Sequence, residues 1–409
     1  MNIFRELKEG LWISLDAIRA NKMRSGLTTL GIVIGIVTVT LMGTAIEGLN
    51  RAFLERISII GADVLFVQRI SWFVDSYAEW IKVEHRREIT LAQVKALEKQ
   101  MVYAQAIAPM IETRAPIKYK NRNSSSVSVV GTTEQFLVTK GISIAEGRFL
   151  SPAEAEGGRP VCVLGSGVAT NLFQNELPVG KKVRLGLGAY EVVGVLEKQG
   201  NFFGEFSTDN QVIIPVKEFM ASFREDPDFQ IQVKVTSVAQ LEEAKEELRG
   251  ILRKVRRVPP GADDDFTIDQ QEMFLKAFAR VRAIMGSIGL FITGLSLFVG
   301  GIGIMNIMFV SVAERTREIG IRKAIGAKRR TILMQFLIEA ASICVLSGLV
   351  ALAIAYPLTL LLAKLLPATM SLTVAGIALL VSLFTGVLSG FLPAWRAARM
   401  NPVDALRNE

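Results

Sequence analysis

Charged residues are absent from four long stretches of the chain. These stretches cover residues 25–46, 283–313, 340–363 and 365–395. A helix needs about 20 residues to cross about 30 Å of hydrocarbon, and each stretch is longer than that. The pattern therefore predicts four transmembrane helices, over 25–47, 276–311, 333–363 and 370–394. We interpret the first as an uncleaved anchor, because its apolar core is long for a signal peptide.

Between the first two spans, residues 48–275 alternate strand-like and helix-like patterns. Residues 62–70 and 229–236 are predicted strands. Thr90 is the predicted N-cap of a helix over 91–101, and Ser237 is the predicted N-cap of a second helix that begins at Val238. The segment between these elements is rich in short strands. We predict a large α+β domain with a mostly β insertion at about 132–215.

Basic residues decide which side of the membrane each segment occupies. Five precede the first span, and a dense basic segment at 312–332 follows the second. Each Lys or Arg at mid-bilayer costs about 2.5–3.5 kcal/mol, so this segment cannot lie in the membrane. The positive-inside rule then predicts cytoplasmic termini, including the tail at 395–409, and an extracytoplasmic domain at 48–275.

The first 24 residues place Ile3, Leu7 and Leu11 at helical spacing, opposite Arg5 and Lys8. This pattern predicts an amphipathic cytoplasmic helix along the membrane surface.

The helical patterns of the first two spans continue beyond their charge-free stretches. Residues 270–312 and 47–57 contain no proline, and neither has the composition of a flexible linker. We predict rigid helical rods, with a stalk that carries Lys276 and Arg280.

Composition agrees with a membrane protein that has a sizeable water-exposed part, since 50% of residues are hydrophobic and 21% are charged. The net charge of +8 lies largely beside the apolar stretches, which argues against nucleic-acid binding. With a single histidine, His85, and no nucleophile or metal motif, we assign no catalytic, cofactor or metal site. The acidic run 263–265 is interpreted as a solvated loop rather than a cation site.

Small residues indicate close helix packing in the first two spans. They leave open whether the contact is within one chain or between two copies. The candidates are Gly31, Gly35, Gly300, Gly301 and Gly303.

Residues 300–340, "GGIGIMNIMFVSVAERTREIGIRKAIGAKRRTILMQFLIEA", resemble the signature of MacB/FtsX-type ABC transporter permeases. Further resemblances are "NKMRSGLTTLGIVIGI" at the first span, "LPAWRAARMNPVDALRNE" at the C-terminus, and "GRFL" and "DNQVIIP" in the outer domain. The resemblance implies permeases that work in pairs, either two identical copies or paralogues. It also implies that the basic segment couples to a cytoplasmic ATPase present in two copies. The positions that match the coupling motif are Glu314, Arg315, Arg317, Glu318, Gly320, Arg322, Lys323 and Gly326.

The chain contains no GxxxxGK[ST] phosphate loop. We therefore expect ATP and magnesium to bind a separate ATPase chain, and this chain to be no enzyme. The expected function is to couple ATP hydrolysis by that ATPase to conformational work of the extracytoplasmic domain, for efflux or extraction of a substrate from the periplasm or the outer leaflet. The expected location is the bacterial inner membrane. Membrane lipids are expected partners. Whether a periplasmic adaptor and an outer-membrane tunnel also take part stays open.

Two alternatives remain. One is a non-transporting regulator of the same fold that activates a wall enzyme, or a lipoprotein-releasing permease. The other is a membrane-anchored hydrolase or sensor, which nothing in the residues favours. The substrate and the type of cell envelope stay open.

Overall fold

The computed structural model describes residues 22–57, 61–74, 76–174, 176–199, 201–202, 206–207, 209–223, 228–364 and 366–407. The chain divides into two compact units. We call the unit formed by Met1–Leu54 and Phe278–Glu409 the membrane unit, and the unit formed by Glu55–Ala277 the outer domain. The amphipathic helix predicted over residues 1–24 lies almost wholly outside the described residues.

The helices are α1 (Lys22–Ile57), α2 (Tyr77–Glu84), α3 (Leu91–Gln100), α4 (Phe136–Lys140), α5 (Pro152–Gly157), α6 (Ser166–Phe173), α7 (Val216–Ser222), α8 (Leu241–Val255), α9 (Gln271–Glu314), α10 (Thr316–Ala324), α11 (Arg329–Leu362), α12 (Leu372–Arg399) and α13 (Pro402–Arg407). The strands are β1 (Val64–Gln68), β2 (Ala104–Tyr119), β3 (Arg122–Thr132), β4 (Ile144–Gly147), β5 (Val161–Leu164), β6 (Lys182–Leu185), β7 (Gly188–Leu196), β8 (Asn201–Phe202), β9 (Phe206–Ser207), β10 (Gln211–Pro215), β11 (Gln230–Val235) and β12 (Thr267–Gln270).

The outer domain is built on one mixed sheet with the strand order β12-β1-β11-β2-β3-β10-β5-β7-β4. Strand β6 pairs with both β2 and β7, so β2, β3, β10, β5, β7 and β6 form a closed circuit of six strands. Each of these strands contributes to one buried cluster, through Ile117, Val129, Val212, Leu164, Val192 and Val183. Leu97 of α3 and Leu248 of α8 belong to the same cluster. Burying these branched side chains together stabilises the circuit and the helix-backed strands as one core.

The predicted boundary of the β insertion at residue 132 does not coincide with the circuit. Strand β2 has 16 residues and pairs with β11 over its first part and with β6 at Ile117 and Lys118. At about 3.4 Å per residue it is long enough to belong to both parts of the sheet. The circuit therefore begins inside β2, and three short helices, α4, α5 and α6, accompany its strands.

Elements β1, α3 and β11 lie where the sequence pattern predicts them. Ser237 differs slightly from its prediction. Its hydroxyl accepts a hydrogen bond from Ala239 N at 3.3 Å and begins a short 3-10 turn, after which α8 starts at Leu241.

The "GRFL" motif forms a tight corner of the outer domain. Arg148 makes a bidentate ion pair with Glu154, with both N–O distances at 2.7 Å. Glu154 also accepts hydrogen bonds from the backbone N–H and hydroxyl of Ser151, at 2.9 and 2.8 Å. Gly147 has a φ of 77°, and a Cβ there would lie 2.3 Å from the Val193 carbonyl oxygen. Glycine is therefore required at this corner.

The acidic run 263–265 is a loop, as expected, but only Asp263 is exposed, while Asp264 and Asp265 are partly buried in ion pairs. Asp265 pairs with the fully buried guanidinium of Arg256, at 2.7 Å, and with Arg87, at 2.8 Å. Asp264 pairs with Arg249 and Arg253. These carboxylates connect the loop to α8 and to the segment before α3.

Among the described residues, four helices are long and apolar enough to cross a membrane: Thr29–Glu55 within α1, and all of α9, α11 and α12. The predicted fold class, four transmembrane helices with a large extracytoplasmic α+β domain between the first two, is confirmed. Helices α1, α9 and α11 are longer than the apolar stretches from which we predicted them, whereas α12, with 28 residues, begins seven residues inside the stretch 365–395. Helix α9 runs for 44 residues, α11 contains Pro357 and α12 contains Pro393.

Helices α1 and α9 pack antiparallel within the membrane unit. Gly31 lies against Gly300, Gly35 against Leu297, and the rings of Phe53 and Phe278 stack with centroids 4.1 Å apart. Residue numbers rise along α1 as those of their partners fall along α9, so the two helices keep the same antiparallel register over about 30 Å.

Helices α11 and α12 form the second close pair. A Cβ on Gly390 would lie 2.4 Å from the Ala340 Cβ, and one on Gly386 would lie 2.9 Å from the Cys344 Cβ. The Ser382 hydroxyl donates to the Cys344 carbonyl oxygen. Gly386 and Gly390 are a GxxxG pair that our sequence analysis missed.

Candidate coupling surface

Helix α10 begins one residue after α9 ends. Arg315, between them, has a φ of −103° and a ψ of 15°, which departs from regular helix geometry, although its N–H still donates to the Ser311 carbonyl oxygen at 3.2 Å. Gly326 has a φ of 102°, a left-handed conformation that stops the helix, and α11 follows from Arg329. Glu318 lies in the first turn of α10 and Lys323 in the last, an order that suits the helix dipole.

One face of α10 is buried within the membrane unit. Ile319 and Gly320 are its buried residues, and Ile319 belongs to the same cluster as Val312, Ile332 and Phe336. Gly320 lies on this buried face. The helix is thus held against the ends of α9 and α11 by apolar contact.

A nearly buried ion pair joins the start of α10 to α11. Arg315 Nη1 lies 3.4 Å from Glu339 Oε2, and the Glu339 side chain is 4% exposed. The Glu339 Oε1 atom is buried and has no hydrogen-bond partner among the described residues. Because a buried carboxylate is costly without a cation, Arg315 determines whether Glu339 can stay ionised there.

The C-terminal segment contacts the opposite end of α10. The Lys323 ammonium donates to the carbonyl oxygen of Met400, and α13 packs against α10, with Ala405 buried. Desolvation lowers the pKa of Lys323, and the nearby positive charge of Arg329 lowers it further. Lys323 is thus a structural contact rather than part of the exposed face.

The other face of α10 is exposed, and we call it the coupling surface. It consists of Arg317, Glu318, Ile321, Arg322 and Ile325. Ile325 is 81% exposed and Ile321 is 44% exposed. Glu318 and Arg322 form an ion pair one turn apart, and Arg322 Nη1 also donates to Gln335 Oε1 at 2.8 Å. The surface combines exposed isoleucines with charges of both signs.

The eight predicted coupling residues fall into three groups. Arg317, Glu318 and Arg322 lie on the coupling surface, with Glu314, the exposed last residue of α9, beside them. Arg315, Gly320 and Lys323 face or contact the rest of the membrane unit. Gly326 is the exposed left-handed residue that ends the segment.

Sequence reasoning missed Glu339, Ile321 and Ile325. Glu339 directly precedes a charge-free stretch, and an ionisable residue at the edge of a span is a usable signal for function. The isoleucines gave no signal, because apolar residues at helical spacing usually face a core.

Four of the five candidate packing glycines lie at contacts between helices of this chain. Gly31, Gly35 and Gly300 lie at the α1–α9 contact. Gly301 faces α12, where a Cβ would lie 2.6 Å from the Ser389 Oγ, and Gly303 is half-buried in α9.

Both cysteines, Cys162 and Cys344, are buried free thiols. His85 is exposed at the C-terminus of α2, with Nδ1 2.8 Å from the Ile81 carbonyl oxygen. Among the described residues, no group of three or more His, Cys, Asp or Glu side chains could hold a metal ion.

Two family models match this chain. The MacB-like periplasmic core domain matches residues 25–251, and the FtsX-like permease C-terminal domain matches residues 290–402. The second match contains α10 and the whole coupling surface.

The chain is similar over nearly its full length to curated proteins. It is 32% identical to the macrolide export ATP-binding/permease protein MacB of Bdellovibrio bacteriovorus, over 99% of this chain and 62% of that protein. It is 34% identical to the pyoverdine export ATP-binding/permease protein PvdT of Pseudomonas syringae pv. tomato, over 97% of this chain and 60% of that protein. The chain thus spans about three fifths of the length of these relatives.

Among solved structures, the periplasmic region of MacB from Actinobacillus actinomycetemcomitans matches 56% of this chain and 98% of that chain. Its TM-score is 0.46 and its sequence identity is 20%. The family models and the curated relatives agree with each other. This chain belongs to the MacB/FtsX-type ABC transporter permeases.

Proposed function

We propose that this chain is the permease subunit of an ABC exporter and that its coupling surface binds a cytoplasmic ATPase carried on a separate chain. In this proposal the termini and α10 lie in the cytoplasm. ATP hydrolysis by the partner moves α10, and the motion drives conformational work of the outer domain.

The observation that carries the proposal is the two-sided character of α10. Its buried face is held by apolar packing, by Arg315 on Glu339 and by Lys323 on Met400. Its other face exposes Ile321 and Ile325 among charges. An exposed apolar pair rimmed by charge is typical of a protein contact, because the isoleucines gain by burial and the charges give specificity.

Helix continuity supports transmission of the motion. Helix α9 has 44 residues and is therefore about 66 Å long. It is separated from α10 only by Arg315, and α1 packs along it from Gly31 to Phe53. A movement of α10 is thereby passed to a long helix that has no proline to bend it.

The names of the relatives favour export. They refer to macrolides and to pyoverdine, two unrelated small molecules. We infer export of a substrate from the periplasm or the outer leaflet by a pair of permease copies with two ATPase subunits. A periplasmic adaptor and an outer-membrane tunnel would complete such a system.

The test exchanges the two charges of the ion pair on the coupling surface. In the variant Glu318→Arg/Arg322→Glu the ion pair within α10 can still form, so the helix should fold, while the charge pattern that faces the partner is reversed. We expect co-purification with the cognate ATPase and stimulated ATP hydrolysis to fall at least about tenfold, because like charges at an interface cost several kcal/mol.

A matched control is the variant Glu47→Arg/Arg51→Glu. Glu47 and Arg51 also form an exposed ion pair one turn apart, with an N–O distance of 2.6 Å, but in α1. This exchange should leave the association with the cognate ATPase unchanged. If the two exchanged variants bound the ATPase equally well, the assignment of the coupling surface would be wrong.

A further inference from the structure

The outer domain exposes a group of aromatic and apolar side chains on and just before α2. We call Phe73, Tyr77, Trp80 and Ile81 the aromatic patch. Tyr77 is 77% exposed, Trp80 and Ile81 are each 42% exposed, and Phe73 is 37% exposed. Among the described side chains of the outer domain, no other Phe, Tyr or Trp ring is as exposed as these.

The patch is an ordered face of a helix. Ser76 caps α2, with its hydroxyl accepting a hydrogen bond from Glu79 N at 3.2 Å. Tyr77, Trp80 and Ile81 follow at three- and four-residue steps, so they lie on one side of α2. The rings of Tyr77 and Trp80 stack with centroids 6.3 Å apart.

Val83 is the only buried residue of α2. The helix thus leaves most of its apolar surface uncovered by the outer domain. This is costly in water, since each buried CH₂ is worth about 0.8 kcal/mol.

The patch is anchored to the beginning of α9. Phe73 packs edge-on against Phe274, with centroids 5.0 Å apart, and the neighbouring Trp72 ring lies 4.7 Å from the same ring. Phe274 precedes the charge-free run that starts at Ala283 by nine residues, about 14 Å along a helix. Arg280 and Arg282 lie in between, as is usual for residues at the headgroup layer.

We propose that the aromatic patch inserts into the headgroup–acyl boundary of the extracytoplasmic leaflet of the membrane that the chain spans. Trp and Tyr are enriched at this boundary, because one part of each ring is apolar and another can form hydrogen bonds. The patch then gives the outer domain a membrane contact in addition to α1 and α9.

Charge indicates what kind of lipid is needed. Residues 69–88 carry four basic and four acidic residues, so the segment has no net charge. We therefore expect insertion through the aromatic rings alone, with no requirement for anionic lipid.

The experiment uses Trp80 as the probe in the full chain, reconstituted without partners in vesicles of zwitterionic phosphatidylcholine. The variant Trp12→Phe/Trp72→Phe/Trp395→Phe leaves Trp80 as the tryptophan in the chain. We expect about twofold quenching by lipids brominated close to the headgroup, weaker quenching by lipids brominated near the chain end, and little by aqueous iodide. Adding anionic lipid should not change the pattern.

The control moves the tryptophan to the turn between β6 and β7, as Leu187→Trp with Trp80→Phe. Leu187 is 94% exposed, and this position should be quenched by iodide and not by brominated lipid. Quenching of Trp80 by iodide alone would overturn the proposal. Protection from both quenchers would also overturn it, because a protein surface, such as a second copy, would then cover the patch.

A second measurement covers the case that the tryptophan variants fold poorly. A nitroxide on Tyr77→Cys, with the native cysteines buried, should be reached by oxygen more readily than by a water-soluble nickel complex. The reverse order of accessibility would reject insertion. None of these measurements uses an ATPase, so their outcome is independent of the proposed coupling.

Discussion

Glu154 shows how a single side chain stabilises the outer domain. Its side chain is 5% exposed, and the carboxylate accepts hydrogen bonds from the Arg148 guanidinium and from the Ser151 backbone and hydroxyl. The hydrogen bonds from Arg148 lower the pKa of Glu154 most, burial opposes them, and Ser151 adds to the lowering. The resulting pKa is about 2. The ionised carboxylate of Glu154 is therefore more stable in the folded protein than in the unfolded chain.

We predict that Glu154→Gln lowers the free energy of unfolding by about 2–3 kcal/mol at pH 7. A group with a lowered folded pKa stabilises the protein above its unfolded pKa. This stabilisation is lost as the pH falls from about 5 towards about 2. Wild type and variant should thus differ at neutral pH and converge in acid, as measured by denaturant unfolding of the purified protein.

Glu156→Gln is the control for this prediction. Glu156 lies in the same short helix, two residues further on, and is exposed. Its replacement should change the stability by less than about 0.5 kcal/mol at any pH. A wild-type advantage over Glu154→Gln that persists in acid would show that the carboxylate charge is not the cause.

Asp265 illustrates the limit of prediction at this scale. Its partners are Arg256, nine residues away, and Arg87, 178 residues away. The local sequence "GADDDF" favours a solvated loop, and only folding brings Arg87 to the carboxylate. Burial opposes ionisation of Asp265, but the hydrogen bonds from both arginines outweigh it and lower its pKa.

At the scale of elements, a nearly buried ion pair connects the start of α10 to α11. Arg315 stands between α9 and α10, and Glu339 lies in α11. If Arg315 is removed, Glu339 is left nearly buried without a cation, which costs about 3–5 kcal/mol or forces the carboxylate to take up a proton. The position of α10 relative to α11 therefore depends on this pair.

We predict that Arg315→Ala lowers the thermal stability of the purified protein and the ATP hydrolysis that it stimulates in the partner ATPase. Adding Glu339→Gln should restore a large part of both, because the neutral amide no longer needs a cation. Differential scanning fluorimetry and ATPase rates measure the two effects.

The control is Arg317→Ala, two residues along the chain. Arg317 is exposed and has no ion-pair partner among the described residues, so its loss should leave stability unchanged and weaken only the association with the ATPase. If Arg315→Ala behaved like Arg317→Ala, the ion pair would have no positioning role.

For the whole molecule, the central expectation is that the outer domain and the coupling surface lie on opposite sides of the membrane. Leu187 of the outer domain and Ile325 of the coupling surface are both highly exposed, at 94% and 81%. The native thiols are buried, so an introduced cysteine can be labelled against a low background.

We predict that a membrane-impermeant maleimide labels Leu187→Cys in intact spheroplasts. The same reagent should label Ile325→Cys only after the membrane is permeabilised, because charged reagents do not cross the hydrocarbon core. Gel-shift detection of the labelled protein measures both. Equal labelling of both positions in sealed spheroplasts would contradict the proposed topology.

The sequence alone determined the four spans and the exclusion of residues 312–332 from the bilayer, because the cost of charge in hydrocarbon is local and large. It also predicted the helices and strands whose apolar period is regular, such as α3 and β11. The tertiary structure alone decided the closure of the six-stranded circuit by β6, the Arg87–Asp265 pair and the fit of Gly390 against Ala340. It also decided that Ile325 and Trp80 stay exposed. These features depend on which distant residues meet, and the local pattern of a sequence does not contain that information.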